Sequence, residues 1–164
     1  MNKFLFFITL LIVICLEEVK AIEAVCNFEE IYKNGQIQQG FILVNNENLR
    51  YEYYDPNLYK IIYKDSQLSL ILNKNNTIQN LPAEHSVLIE NIYKIFKQFP
   101  NIPNEVIIDS VVFKTELNQD SSFISRLAVV SNKINMSIYF YDCETRPING
   151  IFFKSNPVFE YKFK

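Results

Sequence analysis

The sequence predicts an α+β domain in which one amphipathic helix packs in the concave face of a curved antiparallel β-sheet. Two observations support this prediction. Through most of the chain apolar residues recur at every second position, which is the spacing of a strand with one buried face. Only the segment 82–99 repeats its apolar residues every three or four positions, as a helix does. Because a long antiparallel sheet twists and curls, its concave face requires filling, and one helix fills part of it.

The strands are predicted from four alternating sets of residues and the turns between them. The sets are Leu49, Tyr51 and Tyr53; Leu68, Leu70 and Leu72; Ile134, Met136, Ile138 and Phe140; and Phe159, Tyr161 and Phe163. Further strands are expected over 36–45, 60–64, 105–114, 123–131 and 148–155. Asn, Asp, Pro and Ser, which favour turns, separate these segments. Parity places the first set on the inward face of the sheet, and Arg50 and Glu52 on the outward face.

The helix is predicted from its apolar stripe and from the prolines at its two ends. The stripe consists of Leu88, Ile92, Ile95, Phe96 and Phe99. Pro82 suits the first turn of a helix, and Pro100 prevents its continuation. An apolar stripe on an otherwise polar helix requires a sheet to cover it, so we expect the stripe to form one wall of any cavity.

Residues 1–21 have the features of a secretory signal peptide. Lys3 precedes an apolar run over 4–16, and Ala21 ends an acceptable cleavage site, with Ala24 as a second candidate. The run is shorter than the roughly 20 residues that a membrane-spanning helix needs. Since no break in composition divides the rest of the chain, residues 22–164 are expected to form one soluble, exported domain.

Two cysteines, Cys26 and Cys143, remain after the predicted cleavage. In an oxidising compartment such a pair can form one disulfide that closes a long loop. Free cysteines are also common as small buried apolar side chains. The sequence leaves both interpretations open.

The composition argues against nucleic-acid binding and against catalysis. The net charge is −2, with acids and bases interleaved, so the chain offers no basic surface for phosphates. It has one histidine, His85, and three glycines. These residues supply no metal-ligand spacing, no nucleophile elbow and no phosphate-binding loop. We therefore expect a protein that is not an enzyme and that uses no cofactor.

The segment 35–73 carries a recognisable series of strands. It reads GQIQQGFILV, a turn, LRYEYYDP and KIIYKDSQLSLILN. Leu49, Arg50 and Pro56 fit a strand of the pattern Leu/Phe-Arg-aromatic followed by Pro, and Asp65 ends the next strand. This series resembles the outer-membrane lipoprotein carrier (LolA-like) family. Weaker similarity continues through the segment 80–82 and the helix to a closing strand over 156–163.

The resemblance implies a half-barrel sheet closed by helices, in a monomeric periplasmic protein. Its cavity would shelter the acyl chains of lipoproteins between an inner-membrane lipoprotein-releasing transporter and an outer-membrane receptor. Each acyl CH₂ removed from water contributes about 0.8 kcal/mol, so an apolar wall suffices for binding. The family places a helix before its first strand, whereas here only residues 22–27 precede Phe28.

Strand parity and the resemblance together predict the residues that line the cavity. They are Leu49, Tyr51, Tyr53, Leu70, Leu72, Leu88, Ile92 and Phe96. The same residues can instead form a solid core. In that case the chain is a non-carrier periplasmic lipid-binding or envelope-sensing domain on the same fold.

Overall fold

The computed structural model describes residues 23–45, 47–79, 83–99, 101–120 and 122–154. The predicted signal peptide and the predicted closing strand over 156–163 lie outside the described residues. So do the two prolines proposed to bound the helix. No helix among the described residues is both long enough and apolar enough to span a membrane.

In the described part of the chain ten antiparallel strands form one open, curved sheet with one main helix, as the sequence predicts for an α+β domain. The strands are β1 (Ala24–Tyr32), β2 (Ile37–Val44), β3 (Leu49–Tyr53), β4 (Tyr59–Lys64), β5 (Gln67–Leu72), β6 (Ile78–Gln79), β7 (Glu105–Ile108), β8 (Val111–Leu117), β9 (Ile124–Val130) and β10 (Asn135–Thr145). Their order across the sheet is β6-β5-β4-β3-β2-β1-β10-β9-β8-β7. Helix α1 (Ala83–Lys97) connects the two edges of the sheet.

The strand register confirms the predicted alternation in the centre of the sheet. Tyr51 lies opposite Ile42 on β2 and Ile61 on β4, so all three side chains share one face. We call this the core face. Leu49 and Tyr53 also lie on it and are buried.

Helix α1 contributes its apolar side chains to the cluster on the core face. Ile92 and Phe96 are buried there. The Phe96 ring lies 5.3 Å from the ring of Phe140 on β10, and the Tyr93 ring lies 4.8 Å from that of Tyr63 on β4. These contacts connect the helix to both halves of the sheet.

The opposite face of the sheet, which we call the outer face, is also partly covered. The predicted strand over 148–155 is wrong, because Gly150–Phe153 form a short 3-10 helix instead. The Asn149 side chain caps this turn by accepting a hydrogen bond from the Ile151 amide at 3.0 Å. Phe153 is thereby buried against Phe41 and other apolar residues of the outer face.

Arg50 lies on the outer face, as parity predicts, but it is only 1% exposed. Its Nη1 donates to the Phe152 carbonyl at 2.9 Å, and its Nε donates to Glu52 Oε2 at 2.7 Å. The buried guanidinium is therefore paired and hydrogen-bonded, which offsets the cost of removing its charge from water.

Three further strand assignments differ from the sequence prediction. The expected single strand over 105–114 is divided into β7 and β8 by a tight turn at Asp109 and Ser110, both at positive φ. Strand β6 was not predicted. Nor was β1, which occupies the centre of the sheet between β2 and β10. Residues 24–27, which lie where the resembled family has a helix, are the start of β1.

A disulfide joins Cys26 on β1 to Cys143 on β10, 117 residues apart in sequence. The pairing of the two strands shifts by one residue at this point, where Asp142 adopts a positive φ. Such a bulge re-aims side chains locally. The bridge therefore connects two neighbouring inner strands, which start and end the sheet-forming part of the described chain.

Candidate ligand-binding cavity

A cavity of about 180 Å³ lies between helix α1 and the core face. Its lining combines side chains from four strands, the turn before β10 and one side of the helix. The lining residues are Glu30, Tyr32, Tyr51, Tyr53, Tyr59, Ile61, Leu88, Ile89, Ile92, Ile134 and Met136. The helix side of the lining is wholly apolar, whereas the sheet side carries one carboxyl group and four phenols.

Gly40 permits the close ring packing that positions the phenols. It lies on the core face of β2, opposite Phe28 on β1 and Tyr53 on β3. A Cβ atom at this position would overlap the Glu52 backbone carbonyl oxygen and lie 2.5 Å from the Phe28 ring, so only glycine fits the strand pairing and lets that ring extend over β2. The Phe28 ring can then stack on Tyr51, with ring centroids 4.0 Å apart.

Glu30 is the polar centre of the sheet side. Its Oε1 accepts hydrogen bonds from the hydroxyls of Tyr51 at 2.6 Å and Tyr53 at 3.1 Å. Its Oε2 accepts from Tyr32 at 2.6 Å and from Tyr53 at 3.0 Å. Glu30 is 2% exposed, and the ion pairs among the described residues do not include it.

Burial changes the ionisation of this group and of the phenols around it. Desolvation raises the pKa of Glu30, and the hydrogen bonds from the three tyrosines act in the opposite direction. Burial, with the adjacent carboxylate as the next cause, raises the pKa of Tyr51 and Tyr53. These phenols stay protonated at neutral pH and donate to Glu30.

A second, more open space adjoins the cavity. This groove of about 420 Å³ lies between α1, the β7–β8 turn and the turn before β10. Leu88 and Ile134 line both the groove and the cavity, so these two side chains separate them. Both are only partly buried.

The structure distributes the eight predicted cavity residues over one apolar layer. Tyr51, Tyr53, Leu88 and Ile92 line the cavity. The other four lie elsewhere on or against the core face: Leu49 and Phe96 are buried in the core, Leu70 packs against it, and Leu72 is half-buried opposite Tyr59.

Sequence reasoning missed Glu30 and Tyr32, because it did not assign a strand to the segment that contains them. The signal was present as the alternation of Cys26, Phe28, Glu30 and Tyr32. A charged residue at a core position of that alternation hid the pattern. Among the residues that the structure describes, no group of three or more His, Cys, Asp or Glu side chains is placed to hold a metal ion.

No protein-family model matches the chain, and no curated protein is similar to it at a significant level. Function is therefore inferred from the cavity and from the residues around it.

Proposed function

We propose that the protein is an exported, non-enzymatic carrier that binds acyl chains of lipoproteins and moves them from the inner to the outer membrane. In this proposal helix α1 lies in the concavity of the sheet and the acyl chain enters beneath it. The single observation that supports it best is the cavity between α1 and the core face, joined at Leu88 and Ile134 to a larger groove.

Volume decides how much of a ligand the closed cavity accepts. Ligand pockets usually enclose about 300–1,000 Å³. The cavity alone, at about 180 Å³, accepts only part of an acyl chain. The adjoining groove of about 420 Å³ supplies the missing space once Leu88 turns aside. A full chain then runs from the groove into the cavity.

The binding energy comes from burial and requires little polar contact. Ten methylene groups removed from water contribute roughly 8 kcal/mol, at about 0.8 kcal/mol each. Part of this binding free energy offsets the cost of moving Leu88 and Ile134, the partly buried side chains at the entrance. A ligand that binds the open arrangement better shifts the population toward it, and loss of the ligand restores the closed one. Loading and release then need no chemical step.

The two cysteines and the predicted leader support the proposed location. The disulfide between Cys26 and Cys143 is typical of an oxidising compartment. Together with the predicted signal peptide, it supports a periplasmic site of action. The partners expected there are lipoproteins, an inner-membrane transporter and an outer-membrane receptor.

The experiment is a titration of the mature protein with a fluorescent fatty-acid ester, a probe that has an acyl chain but no free carboxylate. We expect saturable binding by the parent protein. Leu88→Trp should block the passage between groove and cavity and lower the affinity at least tenfold. Leu68→Trp is the matched control, because Leu68 is also partly buried against the core but lines neither space. Absence of saturable binding by the parent protein would refute the proposal.

The small volume of the closed cavity favours a second candidate function. A non-carrier lipid-binding or envelope-sensing domain would hold a short chain, or none, without handing it on. Transfer of a labelled acyl peptide between two populations of vesicles distinguishes the two. A carrier accelerates transfer in proportion to its concentration, whereas a sensing domain binds the peptide, or ignores it, without accelerating transfer.

A further inference from the structure

The sheet side of the cavity is built differently from a purely lipid-binding surface. An acyl chain needs only an apolar wall, yet Glu30, a residue only 2% exposed, lines the cavity. The rings of Tyr51 and Tyr53 lie 5.6 Å apart, and those of Tyr53 and Tyr59 lie 5.1 Å apart, in edge-to-face pairs. Three phenols thus donate to one carboxyl group, a fourth ring packs against Tyr53, and all five side chains line the cavity.

We propose that this cluster of Glu30 and four tyrosines binds a protonated amine, so that the preferred ligand is an amphiphile with an ammonium group at one end of its alkyl chain. The inference rests on the proposed function, because the alkyl chain is taken to occupy the apolar part of the same cavity.

The charge balance of the cavity supports an ammonium over the other head groups. Removing a carboxylate from water is costly unless an opposite charge accompanies it. Within the described part of the chain no ion pair includes Glu30. A ligand ammonium supplies that charge, whereas a fatty-acid carboxylate adds a second negative charge beside the first.

The Glu30 carboxylate has more acceptor sites than the surrounding phenols have protons to donate. Four contacts reach Glu30, but Tyr53 makes two of them and has a single hydroxyl proton. Three protons therefore serve a carboxylate with about four acceptor sites. One acceptor site stays available to an N–H donor.

The faces of the tyrosine rings also favour an ammonium group as the ligand. Tyrosine rings attract cations through their negative faces, and cages of several rings recognise ammonium ligands. Tyr51, Tyr53 and Tyr59 all line the cavity, so a cation that reaches Glu30 shares the cavity with these three rings. A neutral hydroxyl gains a hydrogen bond to Glu30 but not this attraction.

The test compares three ligands of equal chain length, dodecylamine, dodecanol and dodecanoic acid, as competitors of the bound fluorescent probe at pH 7. For the parent protein we expect the amine to bind at least tenfold tighter than the acid, with the alcohol between them. Glu30→Gln should lower the affinity for the amine at least tenfold and leave that for the alcohol within about threefold.

Glu29→Gln is the matched control, because it removes the same charge from the neighbouring residue on the other face of β1. There the Glu29 carboxylate accepts a hydrogen bond from exposed Gln39 at 2.8 Å. Glu29→Gln should leave the order of affinities for the three ligands unchanged.

The outcomes separate the two proposals. If none of the three ligands displaces the probe, or no probe binds, the proposed function fails. If all three ligands bind and the affinity for the acid equals or exceeds that for the amine, the cavity binds acyl chains but the amine inference is wrong. The ranking on the parent protein decides this even if Glu30→Gln does not fold.

Discussion

Replacing Ile92 by Asp introduces a carboxyl group into the layer between helix α1 and the core face. Ile92 is 1% exposed and lines the same cavity as Glu30. The new carboxyl group is therefore removed from bulk water while the cavity stays closed. A new carboxylate there also lies in one small cavity with an existing one, and like charges in low dielectric repel each other.

The expected loss of stability has two parts. Burying an isoleucine side chain contributes about 1.5–3 kcal/mol, which the substitution removes. Burying an unpaired carboxyl group costs several kcal/mol more, whether it stays charged or is forced to protonate. A total of about 4–6 kcal/mol is a large share of the 5–15 kcal/mol that typically stabilises a domain. At about 3–4 °C per kcal/mol, the melting temperature should fall by at least about 12 °C.

The loss should depend on pH in a defined direction. Burial raises the folded-state pKa of the new carboxyl group above its ordinary value near 4. Such a group costs stability at pH values above its folded pKa, and the cost shrinks as the pH falls toward the unfolded value. The difference in the free energy of unfolding between Ile92→Asp and the parent protein should therefore be smaller at pH 5 than at pH 7.

Val87→Asp is the matched control, since Val87 lies on the same helix, is also β-branched and is 39% exposed. Val87→Asp should lower the free energy of unfolding by less than about 1 kcal/mol. Thermal and urea unfolding followed by circular dichroism measures both variants. If Ile92→Asp unfolds within about 1 kcal/mol of Val87→Asp, the helix is peripheral and the proposed cavity wall is wrong.

Two further predictions concern the sheet itself. Reduction of the disulfide between Cys26 and Cys143, 117 residues apart, should lower the free energy of unfolding by about 2–5 kcal/mol in a urea titration, and an unchanged midpoint would contradict this. Gly40→Ala should lower the free energy of unfolding by about 3 kcal/mol in the same assay, because its Cβ would overlap the Glu52 carbonyl oxygen and lie 2.5 Å from the Phe28 ring. Gly150→Ala, which meets nothing within 4 Å, is the control, and equal effects of the two substitutions would contradict the packing argument.

Local spacing in the sequence determined most of the elements. On β10, Met136 and Ile138 alternate with Asn135 and Tyr139, and the structure buries the first pair and exposes the second. The pattern is readable because successive side chains of a strand point to opposite faces whatever the rest of the chain does. For the same reason parity alone placed Tyr51 on the core face.

The alternation of apolar and polar residues did not predict the elements that depend on an unusual turn. The turn at Asp109 and Ser110 has two residues at positive φ but no glycine, so the sequence lacks the usual hairpin signal. The apolar run that ends at Phe153 has the composition of a strand. It forms a turn because a cap at Asn149 and a place on the outer face are available to it.

The central position of β1 and the cavity were decided only by tertiary structure. Strand β1 pairs with β10, more than a hundred residues away, and no local pattern encodes that pairing. Glu30 looks like a surface residue in sequence, because a charge at a core position is normally too costly. In the fold, three tyrosines from β1 and β3 converge on it and satisfy it. Hydrogen bonds between distant strands, and not the spacing of residues along one strand, therefore place a carboxyl group inside the protein.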